Sequence, residues 1–238
     1  MNDLYAVSSE YRSNVPTVIE NDLILKWYPK RIVERFGNCE SLRELGIGHG
    51  FTAGIFNESC DRHLLIEGSQ VVIDQFRTAH PNFKAELVFG YFDEFETEER
   101  FDVIVMGFIL EHVEDPGYLL DRYRKVHEHS GHLYVAVPNA KSMNRRLGVE
   151  LGMIDDIYIL NENDYTLGHR RQCCPDSLRA ESTRHGYLIT DEEGIYLKPL
   201  ELGVLKTLPD FEANLRGMLQ VGIEFQQLCV GLLLEATA

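Results

Sequence analysis

The sequence predicts an α/β fold built on a parallel sheet covered by helices on both faces. Three observations predict it. Between residues 40 and 140, short apolar segments alternate with amphipathic ones. The apolar segments are hydrophobic along their whole length, as strands buried on both faces are. The first of them ends in a glycine-rich turn, "ELGIGHGFTAG", the form of turn that joins a strand to a helix in such sheets.

Taken in order, residues 1 to 40 read as a polar arm and then a helix. Ile19, Leu23, Leu25, Ile32, Val33 and Phe36 recur at roughly helical spacing, with an interruption expected near Pro29. "SLRELGI" is a strand and "FTAGIFNES" opens a helix. "HLLIE" is the next strand, followed by the helix "SQVVIDQFRTAH" with Ser69 as its N-cap. "AELVFG" and "FDVIVMGF" are strands. "DPGYLLDRYRKVHEH" is a helix capped by Asp115, with Pro116 at its first position, and "GHLYVAVP" is a fifth strand. From 139 to 174 no period is visible. "CPDSLRAESTRHG" then predicts a helix starting near Asp176 or Ser177, "YLITDEEGIYLKP" a strand or hairpin, "FEANLRGMLQVG" a helix and "LCVGLLLEA" a last buried strand. No repeat divides the chain, so residues 1 to 238 read as one domain.

Composition narrows the function classes. A formal charge of −15 argues against nucleic acid or an anionic membrane as the main partner. No apolar run approaches the roughly 20 residues that span a bilayer. The cysteines number five, show no CxxC spacing and fit a reducing cytoplasm better than a disulfide framework. The start, "MNDLYAVSSEYRSN", lacks the basic and apolar regions of a signal peptide. The expectation is a cytoplasmic, soluble protein.

Gly46, Gly48 and Gly50 sit at the carboxyl end of the first strand, where backbone N–H groups can approach a ligand without a Cβ between. Glu67 ends the next strand, 21 residues after Gly46, at the place of a carboxylate that holds ribose hydroxyls. The spacing is G-x-G-x-G and residue 51 is Phe, so the dinucleotide fingerprint lacks its third element. A nucleoside ligand without a pyrophosphate fits this better than a nicotinamide dinucleotide.

These residues carry a resemblance. "ELGIGHG", "LIEGS", "FDVIVMGFILEHVEDP" and "LYVAVPN" resemble, in order and spacing, four motifs of the class I S-adenosylmethionine-dependent methyltransferases. "VPNAKSMNRRLG" and "LGHRR" are similar to a branch of bacterial sugar and natural-product tailoring enzymes. The resemblance implies a Rossmann-like three-layer sandwich with a seven-stranded, mostly parallel sheet and an antiparallel last strand. Residues 1 to 40 would form a lid, 40 to 140 the cofactor core, 139 to 185 the acceptor pocket and 186 to 238 the end of the sheet.

It further implies S-adenosylmethionine as cofactor, with S-adenosylhomocysteine as product. Gly46, Gly48 and Gly50 would cradle its methionine part, and Glu44 would reach its amino group through water. Glu67 would take both ribose hydroxyls, with Gly68 and Ser69 along the adenosine. Many relatives place an Asp after the third strand; here "FGYFDEF" puts Tyr91 there, so Tyr91 or Phe92 would wall the ring instead. Phe108 and Leu110, after the fourth strand, complete the cofactor set.

For catalysis, a hydroxyl or ammonium nucleophile needs a base. His112 in "LEHV" leads, since its pKa suits neutral pH, followed by Glu111 and by His169 in the later "GHRR". Asn139, Arg145, Arg146, Arg170 and Arg171 are the candidates for binding a small polar acceptor, the guanidinium forks matching the carboxylate or phosphate oxygens of an anionic one. Ion pairs to Glu150, Asp155, Asp156, Glu162 and Asp164 are the competing use for these cations. "HEHSGH" (His127, His129, His132) reads as an altered surface turn away from the pocket, and no metal is assigned. Cys173 and Cys174 read as inert thiols. Assembly as a homodimer is left open. The alternatives to a methyltransferase are a nicotinamide-dependent oxidoreductase and a non-catalytic module that binds the cofactor.

Overall fold

The computed structural model describes residues 16 to 238, so the N-terminal polar arm lies outside the described residues. Seven strands form one sheet in the order β3-β2-β1-β4-β5-β7-β6. They are β1 (Cys39–Leu45), β2 (Cys60–Glu67), β3 (Glu86–Phe89), β4 (Phe101–Gly107), β5 (His127–Pro138), β6 (Leu188–Ile195) and β7 (Gly231–Thr237). β7 runs antiparallel to both β5 and β6, and the pairs among β1 to β5 are parallel. Fold class and last-strand direction are therefore as the resemblance implies. The strand order reverses between β1 and β4, which opens a crevice above their carboxyl ends.

The helices are α1 (Pro16–Phe36), α2 (Phe51–Asn57), α3 (Gln70–Ala79), α4 (Pro116–Arg124), α5 (Met143–Glu150), α6 (Glu162–Thr166), α7 (Pro175–Arg184), α8 (Leu202–Leu205) and α9 (Phe211–Gly222). One face of the sheet packs Ile24, Tyr28 and Ile32 of α1, Phe56 of α2 and Leu215 and Leu219 of α9 against Leu42, Val103 and Tyr134. The other face packs Leu119, Leu120 and Tyr123 of α4 and Leu178 of α7 against Leu45, Ile104 and Leu133. Among the described residues no helix is long and apolar enough to cross a membrane.

Two local expectations are corrected and two are made specific. The break expected at Pro29 does not occur; α1 runs through it. A proline inside a helix costs about 3 kcal/mol, whereas burying Ile24, Tyr28 and Ile32 returns roughly 1.5–3 kcal/mol apiece. The helix after Pro116 ends at Arg124, and His127 to His129 belong to β5. Val126 accepts from Phe101 N and His127 pairs with Phe101, so the sheet takes over where the helix was expected to continue. α7 starts at Pro175, next to the expected Asp176 and Ser177, and its N-cap is Cys174: the thiol faces Ser177 N at 3.5 Å, and Ser177 Oγ accepts from Cys174 N at 2.9 Å. "YLITDEEGIYLKP" supplies the single strand β6, without a hairpin.

Candidate active site

The glycine turn carries the first wall of the crevice. Gly48 has φ +52° and a Cβ there would meet nothing within 4 Å, so it presents bare main chain to open space. Gly50 has φ +79°, and a Cβ would strike the Phe76 ring at 2.8 Å. Both positions therefore need glycine, one for conformation and one also for packing. Gly46 N donates to Ile66 O at 2.8 Å, which ties the turn to β2.

Glu67 straps two loops together. Its Oε2 accepts from Ile47 N at 3.0 Å and its Oε1 from Ser69 N at 2.9 Å. Burial pushes its carboxyl up from the ordinary value, against the backbone N–H groups of Ile47, Ser69 and Gly68, which stabilise the anion. Each oxygen keeps a lone pair beyond the one these bonds use.

Glu44 is placed differently from the expectation. It is 2% exposed, bonded by the Thr52 hydroxyl and 3.0 Å from His63 Nε2. Protein groups thus occupy its carboxylate, because β1 aims it at α2 and β2. Tyr28 reaches the same region from α1: a Cβ on Gly107 would fall on its hydroxyl. Burial first, then the charges of Glu44 and Glu111, raise the Tyr28 phenol well above its usual value. Phe108 adopts φ +57°, a left-handed conformation rare outside glycine, with its ring edge-on to Tyr28 at 5.6 Å. Phe92 borders Gly46, 3.7 Å from where a Cβ would stand, while Tyr91 is 44% exposed. The Leu110 side chain lies in the core, leaving its backbone to the site.

Glu111, His112 and His169 meet at the other end of the crevice. The two imidazoles pack edge to face at 4.8 Å, and His112 Nε2 lies 4.0 Å from Glu111 Oε1. His169 Nδ1 faces Asp164 Oδ1 at 3.2 Å. Asp164 itself accepts from Asn161 N and Gln172 Nε2, each at 2.9 Å. Burial pushes the Glu111 carboxyl up to about 8. Burial, and then the neighbouring His169, push His112 down to about 4, so the neutral-range pKa expected of it is not found.

The basic residues of the 139 to 171 region bond mainly to main chain. Arg171 donates to the carbonyls of Leu110, Val113 and Glu114, which clamps the turn after β4. Arg145 takes the Ile157 and Ile159 carbonyls and stands 3.8 Å from Asp164. Arg146 takes those of Lys141 and Gln227. Buried Asn139 bonds to Gln226 O, Cys229 O and Lys141 N. The Arg170 side chain is exposed, and its backbone N–H donates to Glu111 O at 2.8 Å. Irregular chain leaves carbonyls without partners, and guanidinium forks satisfy several at once. His127 is buried against Tyr187, and His132 pairs with Glu235 at 2.8 Å. Sequence reasoning missed Tyr28, whose helical spacing signals only core, and Asp164, whose signal is the Asn161 capping box.

Bare glycine main chain and a strapped carboxylate, set where the strand order reverses, are features of the class I methyltransferase fold. Residues 43–135 match the family described as "Methyltransferase domain". Its fold is that of S-adenosylmethionine-dependent methyltransferases. The N-methyltransferase NodS from Bradyrhizobium japonicum WM9, in complex with S-adenosyl-L-homocysteine, is 14% identical with a TM-score of 0.61, over 98% of this chain and 96% of that one. A complex of the Haloferax volcanii Trm112 methyltransferase activator with a methyltransferase gives 15% identity and 0.65, over 98% and 97%. The [4+2]-cyclase SpnF gives 14% and 0.61, over 89% and 80%. No curated protein matches the sequence.

Proposed function

We propose that this chain transfers a methyl group from S-adenosylmethionine to an oxygen, or alternatively a nitrogen, of a small polar acceptor such as a sugar, a nucleotide sugar or a natural-product intermediate. The observation that carries the reading is the pairing of two features across one crevice. On one side stand the open main chain at Gly48 and the strapped Glu67; on the other, Glu111, His112 and His169.

The residues present fit the cofactor. Glu67 retains lone pairs for two ribose hydroxyls, and the empty space above Gly48 is space a side chain would take from the methionine part. Phe92 and Tyr91 stand where an adenine ring would be walled. Bound there, the cofactor supplies a methyl group already activated on sulfur.

The chain's own task is then positioning, which is worth roughly 7–11 kcal/mol of barrier when reacting atoms are held in line. Arg171 holds the turn that presents Glu111 and His112, and Asp164 holds His169. The three-residue cluster receives the acceptor's nucleophilic atom and relieves it of its proton, a contribution of about 10²–10⁴-fold. Tyr28 and Phe108 close the crevice from the α1 side and exclude water. Cys173, Cys174 and Cys229 are buried free thiols, the form a reducing compartment keeps.

The test is turnover. Incubated with S-adenosylmethionine and a panel of sugars, nucleotide sugars, phenols and amines, the protein releases S-adenosylhomocysteine with at least one acceptor, and His169→Ala lowers that rate by about 10² or more. Cofactor binding without product from any acceptor class contradicts the reading.

A further inference from the structure

The geometry points to a divalent-cation site of the zinc class formed by Glu111, His112 and His169 at the acceptor end of the crevice.

The first support is a carboxylate with nothing to satisfy it. The Glu111 side chain is 1% exposed, and neither of its oxygens has a hydrogen-bond partner among the described residues. Arg171, the nearby cation, spends its guanidinium on the carbonyls of Leu110, Val113 and Glu114. A buried carboxylate without donors costs several kcal/mol, and such groups are found paired or bound to metal.

The second support is the ligand set. One donor atom from each of the three residues lies within 4.8 Å of the others, with Glu111 Oε1 and His112 Nε2 at 4.0 Å. Around a tetrahedral ion with bonds of about 2.0–2.1 Å, neighbouring donors stand roughly 3.4 Å apart. Closing the set brings the donors together by on the order of 1 Å. Two imidazoles and one carboxylate are the donor set of zinc sites that keep an open position.

The third support is the outer layer. A metal-bound histidine gives its other ring N–H to a carboxylate or carbonyl, which fixes the tautomer. His169 Nδ1 stands 3.2 Å from Asp164 Oδ1, within ion-pair range though not aligned as a hydrogen bond, which leaves Nε2 for an ion, and Asp164 is anchored by Asn161 N and Gln172 Nε2. The His112 ring has the backbone carbonyls of Gly168 and Leu167 as acceptors. Both rings are thus oriented from behind.

The inference rests on the methyl-transfer reading only for its use: a hydroxyl seated on the open position is a stronger acid than in water, which favours an oxygen acceptor. The experiment is metal binding by the full chain. After dialysis against zinc and then buffer, the wild type retains one zinc per chain, and cobalt(II) in its place gives a visible tetrahedral spectrum. Glu111→Gln and His169→Ala lose both signals, and Asp164→Asn weakens zinc by about 10–100-fold. Glu111→Gln keeps the size and shape of the side chain, so the metal-free variant unfolds at the same urea concentration as the metal-free wild type, which separates loss of a ligand from misfolding. Absence of stoichiometric zinc in the wild type overturns the site, as does equal retention by both ligand variants. Calorimetric binding of S-adenosylhomocysteine, measured with and without zinc, keeps the two conclusions apart: a protein that binds the nucleoside but no zinc loses the metal site alone.

Discussion

Replacing Glu67 by Gln tests the strap and the ribose grip in one change. The carboxylate accepts from Ile47 N and Ser69 N at 3.0 and 2.9 Å, and its remaining lone pairs face the crevice. An amide has the same shape but carries two donors on one arm, so in either orientation an N–H opposes the N–H of Ile47 or of Ser69. Hydrogen bonds to a charged group contribute about 1.5–3 kcal/mol each and those to a neutral one about 0.5–1.5. Weakening both ribose bonds from the first range to the second costs about 2–3 kcal/mol of cofactor affinity. At 1.4 kcal/mol per decade, that is an increase of about 30- to 140-fold in the Kd for S-adenosylhomocysteine. The lost internal bond lowers stability by about 1–2 kcal/mol, a fall in Tm of about 2–8 °C for a chain of this size. Isothermal calorimetry on the folded variant reads the affinity, and differential scanning calorimetry the stability. An affinity within about threefold of wild type, well under the 1.4 kcal/mol of a full decade, refutes the reasoning about Glu67.

The glycines give a contrasting pair. Gly48→Ala costs the fold only about 1–2 kcal/mol for its positive φ yet weakens S-adenosylhomocysteine more than about tenfold, whereas Gly50→Ala also drives a methyl into Phe76 and costs about 2–5 kcal/mol in urea unfolding; similar stabilities for the two would contradict the geometry. Arg171→Ala releases the turn after β4, lowering unfolding free energy by about 2–4 kcal/mol and kcat with it. Arg170→Ala stays within about 0.5 kcal/mol of wild type, and a rise in KM alone identifies an anionic acceptor. Buried His127 has its pKa pushed down to about 4 by burial, with His132 and Arg124 adding to the shift. The unfolded chain takes up the proton near 6.5, so stability is full above about pH 6.5 and falls as pH drops toward 4, by about 2 kcal/mol between pH 7 and 5. His127→Leu has a shallower fall, and an unchanged slope of urea-unfolding stability against pH would sink that assignment.

The segment from 40 to 140 was legible because its elements repeat one physical pattern: buried strands with no polar face, amphipathic helices with caps at Ser69 and Asp115. The glycine turn and Glu67 were legible because they end consecutive strands, and the fold joins them through the bond from Ile47 N to Glu67. Where period is weak, the sequence was ambiguous. The end of α4 depended on β5 pairing with Phe101, a contact remote in the chain. A guanidinium offers the same donors to a substrate oxyanion and to a row of backbone carbonyls, so Arg145, Arg146 and Arg171 could not be sorted from composition. Glu111 was visible as part of a motif, but the absence of any donor around it is a property of the packed fold. Tyr28 was hidden because an inward position on a helix announces burial and nothing about what lies opposite.

The most direct measurement is a crystal structure of the wild-type chain with S-adenosylhomocysteine. The account predicts the ribose diol on Glu67, the homocysteine chain across Gly48, and the sulfur facing the space bordered by Glu111, His112 and His169. A nucleoside bound elsewhere, or one whose sulfur points away from those three residues, contradicts it.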